Sequence, residues 1–99
     1  MSNQFKKQIK SHPLVLVDFF ATWCKPCKII SPMLEEIVKD TRGKVQVIKI
    51  DLDKNQRLAA ELNIKSVPTI CFYKYGKLQW RKSGVQTKLE LMNRIKGFL

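Results

Sequence analysis

Apolar and polar positions divide this chain into segments with distinct periods. Phe5 and Ile9 stand four apart, which predicts a short amphipathic helix over residues 3–10, broken by Ser11-His12-Pro13. Leu14-Val15-Leu16-Val17-Asp18-Phe19-Phe20 is a continuous, partly β-branched apolar run with one acid inside it. That pattern suits a central strand buried on both faces. Apolar residues then fall at Ile29, Ile30, Met33, Leu34, Ile37 and Val38, the spacing of a helix with one buried stripe. Pro32 lies within this pattern and should kink the helix, because it lacks a backbone donor and crowds the preceding turn. Arg42-Gly43-Lys44 ends it.

A second strand is expected over residues 45–52, carried by Val45, Val47, Ile48, Ile50 and Leu52. Asp53 is a candidate N-cap for a short helix containing Leu58, Ala59 and Leu62, with Asn63 as its stop. Residues 69–74 and 77–83 are strand-like runs joined by Tyr75-Gly76, a hairpin signal. Thr87-Lys88-Leu89-Glu90 is a capping box that opens a last helix, burying Leu91, Ile95 and Phe98. The order implies the α/β class: a central mixed sheet of four strands, a parallel pair plus an antiparallel hairpin, flanked by four helices. No repeat, linker or low-complexity stretch interrupts residues 1–99, so one domain is expected, and 44% apolar residues suffice for its core.

Charge narrows the choice of partners. Nineteen Lys and Arg against eight Asp and Glu give a formal net charge of +11, which favours acidic partners, most strongly at low salt. The basic residues are spread along the whole chain and not gathered in one tract. A basic solvated surface is therefore the reading adopted, and nucleic-acid binding is not expected. No apolar run approaches the length of a membrane span, and the start of the chain lacks the apolar stretch of a signal peptide, so membrane attachment is not expected and the location expected is cytoplasmic.

Three cysteines are too few, and odd in number, for a disulfide-stapled scaffold. Two of them form Trp23-Cys24-Lys25-Pro26-Cys27, where Cys-x-x-Cys reads as redox or metal chemistry. A structural metal needs two more ligands at matching spacing, and the chain offers only Cys71 and His12, each alone, so no metal is expected. An inert core pair fits poorly with the flanking Trp, Lys and Pro. Cys24 follows the buried strand and opens a helix, where unpaired backbone N–H groups and the positive end of the helix dipole favour a thiolate. Lys25 and Lys28 add positive charge, so Cys24 should ionise readily and act as the nucleophile. Cys27, one turn further in and less exposed, should resolve the mixed disulfide. Cys71, within a strand, reads as a small buried hydrophobe, with a regulatory thiol as the alternative. His12 reads as a turn residue.

The stretch Val17-Asp18-Phe19-Phe20-Ala21-Thr22-Trp23-Cys24-Lys25-Pro26-Cys27-Lys28 resembles the active-site segment of the thioredoxin family. The likeness continues through Ser31-Pro32, Lys49 with Asp53, Val67-Pro68-Thr69, Tyr75-Gly76-Lys77 and Ser83-Gly84-Val85. It implies a thioredoxin-like fold and a general cytosolic protein-disulfide reductase, serving electron transport and cell redox homeostasis by dithiol–disulfide exchange. It also implies no bound cofactor, disulfide-containing protein substrates, and recycling by an NADPH-dependent thioredoxin reductase.

Under the resemblance Asp18 is the buried acid that moves the proton of the resolving cysteine. An ionisable residue inside a buried strand should indeed have a raised pKa. The alternative is a strand residue facing solvent at an edge. Lys49 resembles the lysine that approaches this acid, and Pro68 the cis-proline facing the cysteines. Trp23, Lys25, Pro26, Val67, Thr69, Gly84 and Val85 would line the groove for an extended substrate segment.

The chain departs from the family pattern in four ways. It begins at the family's first helix, so the usual opening strand is missing and residues 45–52 become an uncovered edge. A mostly monomeric protein with weak dimerisation through that edge is expected. Lys25 stands where Gly is commonest, which should move the redox potential in the oxidising direction. Phe20 stands where Trp is common, and the surface is basic where many bacterial members are acidic. Two rival functions follow: an oxidant or isomerase favoured by Lys25, and a basic interaction module with an idle cysteine pair.

Overall fold

The computed structural model describes residues 2–99. The elements follow the expected order: α1 (Asn3–Ile9), β1 (Leu14–Phe20), α2 (Lys25–Asp40), β2 (Val45–Asp51), α3 (Gln56–Glu61), β3 (Thr69–Lys74), β4 (Lys77–Ser83) and α4 (Lys88–Ile95), with a single 3-10 turn at Lys96–Phe98. The strands lie in the order β2-β1-β3-β4. β1 pairs in parallel with β2, Leu14 opposite Val45 and Phe20 opposite Asp51, and antiparallel with β3, Leu14 opposite Lys74 and Phe19 opposite Thr69.

Alternation along β1 sends successive side chains to opposite faces. Val15, Val17 and Phe19 pack with Phe5 and Ile9 of α1 and Leu58 and Ala59 of α3. Leu14 and Leu16 pack on the other face with Ile30, Leu34 and Ile37 of α2 and Leu91 and Ile95 of α4. Asp18 continues the second set by parity, so its carboxyl belongs to the α2 face. β1 is buried on both faces as its unbroken apolar run implies.

Local chemistry explains the element ends. Tyr75 and Gly76 both have positive φ, 48° and 79°, as the tight turn between two antiparallel strands requires. Asn63, at φ 59°, takes the left-handed position just beyond α3. Thr87 caps α4, its Oγ1 accepting the Glu90 N–H at 3.1 Å and donating to Glu90 Oε1 at 3.1 Å.

Four sequence expectations need correction. Ile29 is not in the buried stripe of α2; it is 67% exposed. The stripe runs Cys27, Ile30, Leu34, Ile37, and Ile29 lies about 100° around the helix from Ile30. Asp53 does not cap α3, which begins after Asn55 and has no side-chain cap bond. Leu52 falls just outside β2, and Phe98 is only half-buried, its ring edge against Phe72 at 5.0 Å.

Candidate active site

β1 delivers the chain to Ala21, and a tight turn closes there, with the Cys24 N–H donating to the Ala21 carbonyl at 3.1 Å. Cys24 is the N-cap of α2, with extended φ and ψ of −85° and 109°, and its Sγ accepts the Cys27 N–H at 3.2 Å. Lys25 and Pro26 fill the first helical positions, where the missing Pro N–H is not needed. Cys24 and Cys27 form a disulfide with Cα atoms 5.4 Å apart, inside the usual range for such bonds. The expected difference in exposure is absent: Cys24 is 4% exposed and Cys27 3%. Position separates them instead. Cys24 stands ahead of the helix, whereas Cys27 sits inside it, on the wall of a neighbouring cleft.

That cleft, of about 430 Å³, is lined by Asp18, Cys27, Lys28, Ser31 and Lys49 among others. Asp18 is 1% exposed, and neither carboxylate oxygen has a hydrogen-bond partner. Burial pushes its pKa up to about 6, with the charge of Lys49 pulling in the other direction. The solvent-facing alternative for Asp18 is thereby overturned. Lys49 stands directly opposite Asp18 in the β1–β2 register, and its Nζ donates to Ser31 Oγ.

The second wall comes from β3. The Val67–Pro68 bond is cis, Pro68 is buried, and half-buried Val67 packs on Ala21, Cys24 and Cys27. Thr69 is buried, its Oγ1 donating to the Ser66 carbonyl at 2.8 Å. Gly84, at φ 88°, donates its N–H to the Pro68 carbonyl at 2.9 Å, which ties the end of β4 to this wall. Trp23 (70% exposed) and Val85 (52%) leave apolar surface open at the rim, while Lys25 and Pro26 are exposed beside them.

Cys24, Cys27 and Val67 thus share one cluster, and Asp18, Cys27 and Lys49 one cleft. Two partners were invisible to sequence pattern. Asp53 Oδ2 accepts the Trp23 indole N–H at 2.9 Å across thirty residues, and Ser31 receives Lys49. Their only sequence signal was the resemblance itself, which named both positions without a role. Cys71 is a free buried thiol whose pKa burial raises to about 11, as a small hydrophobe in the core should be. His12 is an exposed turn residue beside Ser11. Among the described residues no group of three His, Cys, Asp or Glu side chains comes together as a metal site.

Comparison with known proteins agrees with this geometry. A family model described as Thioredoxin matches residues 1–97. A thioredoxin of Rickettsia conorii is 43% identical over 96 residues, covering 96% of this chain and 91% of the relative. A mutant thioredoxin from Halobacterium salinarum superposes with a TM-score of 0.90 at 30% identity, covering 99% of this chain and 85% of that one. The oxidised thioredoxin of Plasmodium falciparum gives 0.82 at 37% identity, covering 99% and 92%.

Proposed function

Because this chain belongs to the thioredoxin family, we propose that it works as a general cytoplasmic reductase of protein disulfides. It is a thiol–disulfide oxidoreductase with a fold of that family. Its substrates are disulfide-containing proteins, and thioredoxin reductase is its partner for recycling. The observation that carries this reading is that Cys27 lines the same cleft as an unpartnered, buried Asp18 while Cys24 occupies the head of α2.

In the reduced protein the Cys24 thiolate attacks one sulfur of the substrate disulfide. A mixed disulfide forms, and the other substrate sulfur leaves as a thiolate. Cys27 then gives its proton to Asp18 and attacks the Cys24 sulfur. The second substrate thiolate departs, and the two electrons lost by Cys24 and Cys27 now reside on the substrate. Asp18 is suited to this exchange because a carboxyl titrating at about 6 both holds and releases a proton near neutrality. Trp23, Val67, Gly84 and Val85 present an open strip against which an extended segment lies, with Lys25, Pro26, Pro68 and Thr69 framing it. NADPH, through the reductase, returns the pair to the dithiol. Residues 1–99 act as one domain in this reading.

The midpoint potential of Cys24–Cys27, measured against a glutathione or dithiothreitol series, tests the direction. A value nearer the −270 mV of reducing members than the −120 mV of strong oxidants is expected. Lys25→Gly should then lower it by about 10–20 mV, since one exposed charge contributes under about 1 kcal/mol to the thiolate. A midpoint near −120 mV would instead make the protein a disulfide donor.

β2 is an edge of the described sheet. The Leu52 N–H donates to the Phe20 carbonyl at 2.8 Å, so by alternation the N–H groups of Val47 and Lys49 point away from β1. A mostly monomeric protein with weak edge-to-edge pairing is proposed. Sedimentation equilibrium should show a dimer that Val47→Pro removes; a strict monomer at millimolar concentration ends that idea.

A further inference from the structure

The charge of +11 is not explained by disulfide exchange, and the fold places much of it away from the cysteines. The register sets Leu14 opposite both Val45 and Lys74, and Lys74 opposite Lys77. The α1–β1 loop, the α2–β2 loop, the β3–β4 turn and the last 3-10 turn therefore meet at one end of the sheet. The cysteines follow the other end of β1, seven residues or roughly 20 Å away.

Residues 10–14, 41–44, 74–77 and 96–99 contribute Lys10, Arg42, Lys44, Lys74, Lys77 and Lys96, and contain no Asp or Glu. All six basic residues are exposed, and none takes part in an ion pair among the described residues. The nearest acid in sequence, Asp40, is already engaged by Lys88 at 2.6 Å.

This end is recessed. A cleft of about 450 Å³ is walled by Gly43 and Lys44 on one side, Lys74 and Tyr75 on another, and Phe98 and Leu99 on a third. The Tyr75 N–H is fastened to the Pro13 carbonyl at 2.8 Å, and Tyr75 is 67% exposed. Lys10 lies along Gly76, where a Cβ would come within 2.6 Å of its side chain. Lys74 Nζ stands 5.8 Å from the centre of the Phe98 ring.

We propose that this end is a docking surface for single-stranded nucleic acid, bound through its phosphates without sequence preference and independently of the cysteine pair. Lys44 and Lys74 on two walls of the cleft, with Lys10, Arg42, Lys77 and Lys96 on the loops around it, suit a backbone of repeated negative charge, and the exposed Tyr75 offers a face on which any base can stack. An acidic protein would use the charges but not the recess with its aromatic ring. An anionic bilayer would call for a flatter face. The basic residues are scattered along the chain, but four separate loops bring six of them to this one end.

The test is fluorescence anisotropy of a labelled oligothymidylate of about 20 nucleotides with the full chain in its oxidised form. Micromolar binding at about 50 mM salt is expected, with log affinity falling against log salt at a slope of about −3 for four or five phosphates engaged. The Lys44→Glu, Lys74→Glu, Lys77→Glu variant should bind at least about tenfold more weakly. Tyr75→Ala should weaken binding several-fold without changing the salt slope. Both should reduce a protein disulfide at the wild-type rate, with circular dichroism verifying that each is folded. Absence of binding by the wild type overturns the proposal. So does an equal loss in a Lys25→Glu, Lys28→Glu variant, which would assign binding to overall charge. Competition by polyglutamate as effective as that by unlabelled oligonucleotide would replace nucleic acid with an acidic protein partner.

Discussion

Cys24→Ser lowers the rate of protein-disulfide reduction at least about a thousandfold, whereas Cys27→Ser stops the reaction one step later with substrate still attached. The attacking species is a thiolate, and a serine hydroxyl at the same N-cap remains almost wholly protonated at neutral pH. With Cys27 replaced, Cys24 still attacks but nothing displaces it, so one equivalent of mixed disulfide accumulates. Mass spectrometry of the protein with a disulfide-bonded substrate reads this out, since only the Cys27→Ser form gains the substrate's mass. The experiment matters because burial does not rank the two sulfurs, 4% against 3%. Their assignment rests on position: Cys24 ahead of α2 with the Cys27 N–H directed at its sulfur, Cys27 within the helix on the cleft that Asp18 also lines. Adduct formation by Cys24→Ser and none by Cys27→Ser would reverse the roles. Unchanged cellular function in the doubly substituted protein would leave only the interaction-module reading.

Asp18→Asn produces the second large effect, with a pH signature. In the unfolded chain this carboxyl titrates at 3.8, and in the folded protein at about 6. Between those values the folded state keeps a proton that the unfolded state has lost, so folding stability falls as pH rises from about 4 to 6 and is level above that. Ionising the buried carboxyl costs up to about 3 kcal/mol. Asn carries no charge at any pH, although its unpaired buried amide imposes a constant cost of about 1–3 kcal/mol. The stability difference between variant and wild type should therefore shift by roughly 2–3 kcal/mol in the variant's favour between pH 4 and pH 7, and no further. Urea unfolding of the oxidised forms across that range measures it, and groups common to both proteins cancel. A difference that does not change with pH would mean that Asp18 does not titrate there. In the mechanism proposed above, the same substitution removes the acceptor for the Cys27 proton. Release of the mixed disulfide should slow by about a hundredfold at pH 7 while the first attack is unaffected.

Much of this protein is legible in its residues because the governing interactions are local. The unbroken apolar run of residues 14–20, the Tyr75-Gly76 turn and the Thr87 cap each depend on backbone geometry within a few positions. Each appears as expected. The cysteine pair is equally local, since Cys-x-x-Cys at the start of a helix sets both its spacing and its electrostatic surroundings. Where local reading failed, a nonlocal contact or a helical angle was the cause. Asp53 looked like a cap because a short acceptor side chain ahead of a helix suits its free N–H groups, but α3 begins only after Asn55, and Asp53 Oδ2 accepts from Trp23 instead. Ile29 looked like core because it is apolar and adjacent to Ile30, but α2 is covered on one side only.

The sequence by itself determined the order of elements, the class of the fold, the disulfide-forming Cys-x-x-Cys pair and the presence of one acid inside a central strand. Only the tertiary structure decided that Asp18 shares a cleft with Cys27, that Lys49 rests on Ser31, and that four loops far apart in the chain bring six basic residues to the end opposite the cysteines. The physical reason is the range of the interactions. Hydrogen-bond spacing and side-chain periodicity act over a few residues and leave a readable pattern. Juxtapositions between different elements depend on strand order, register and packing, which no local period encodes.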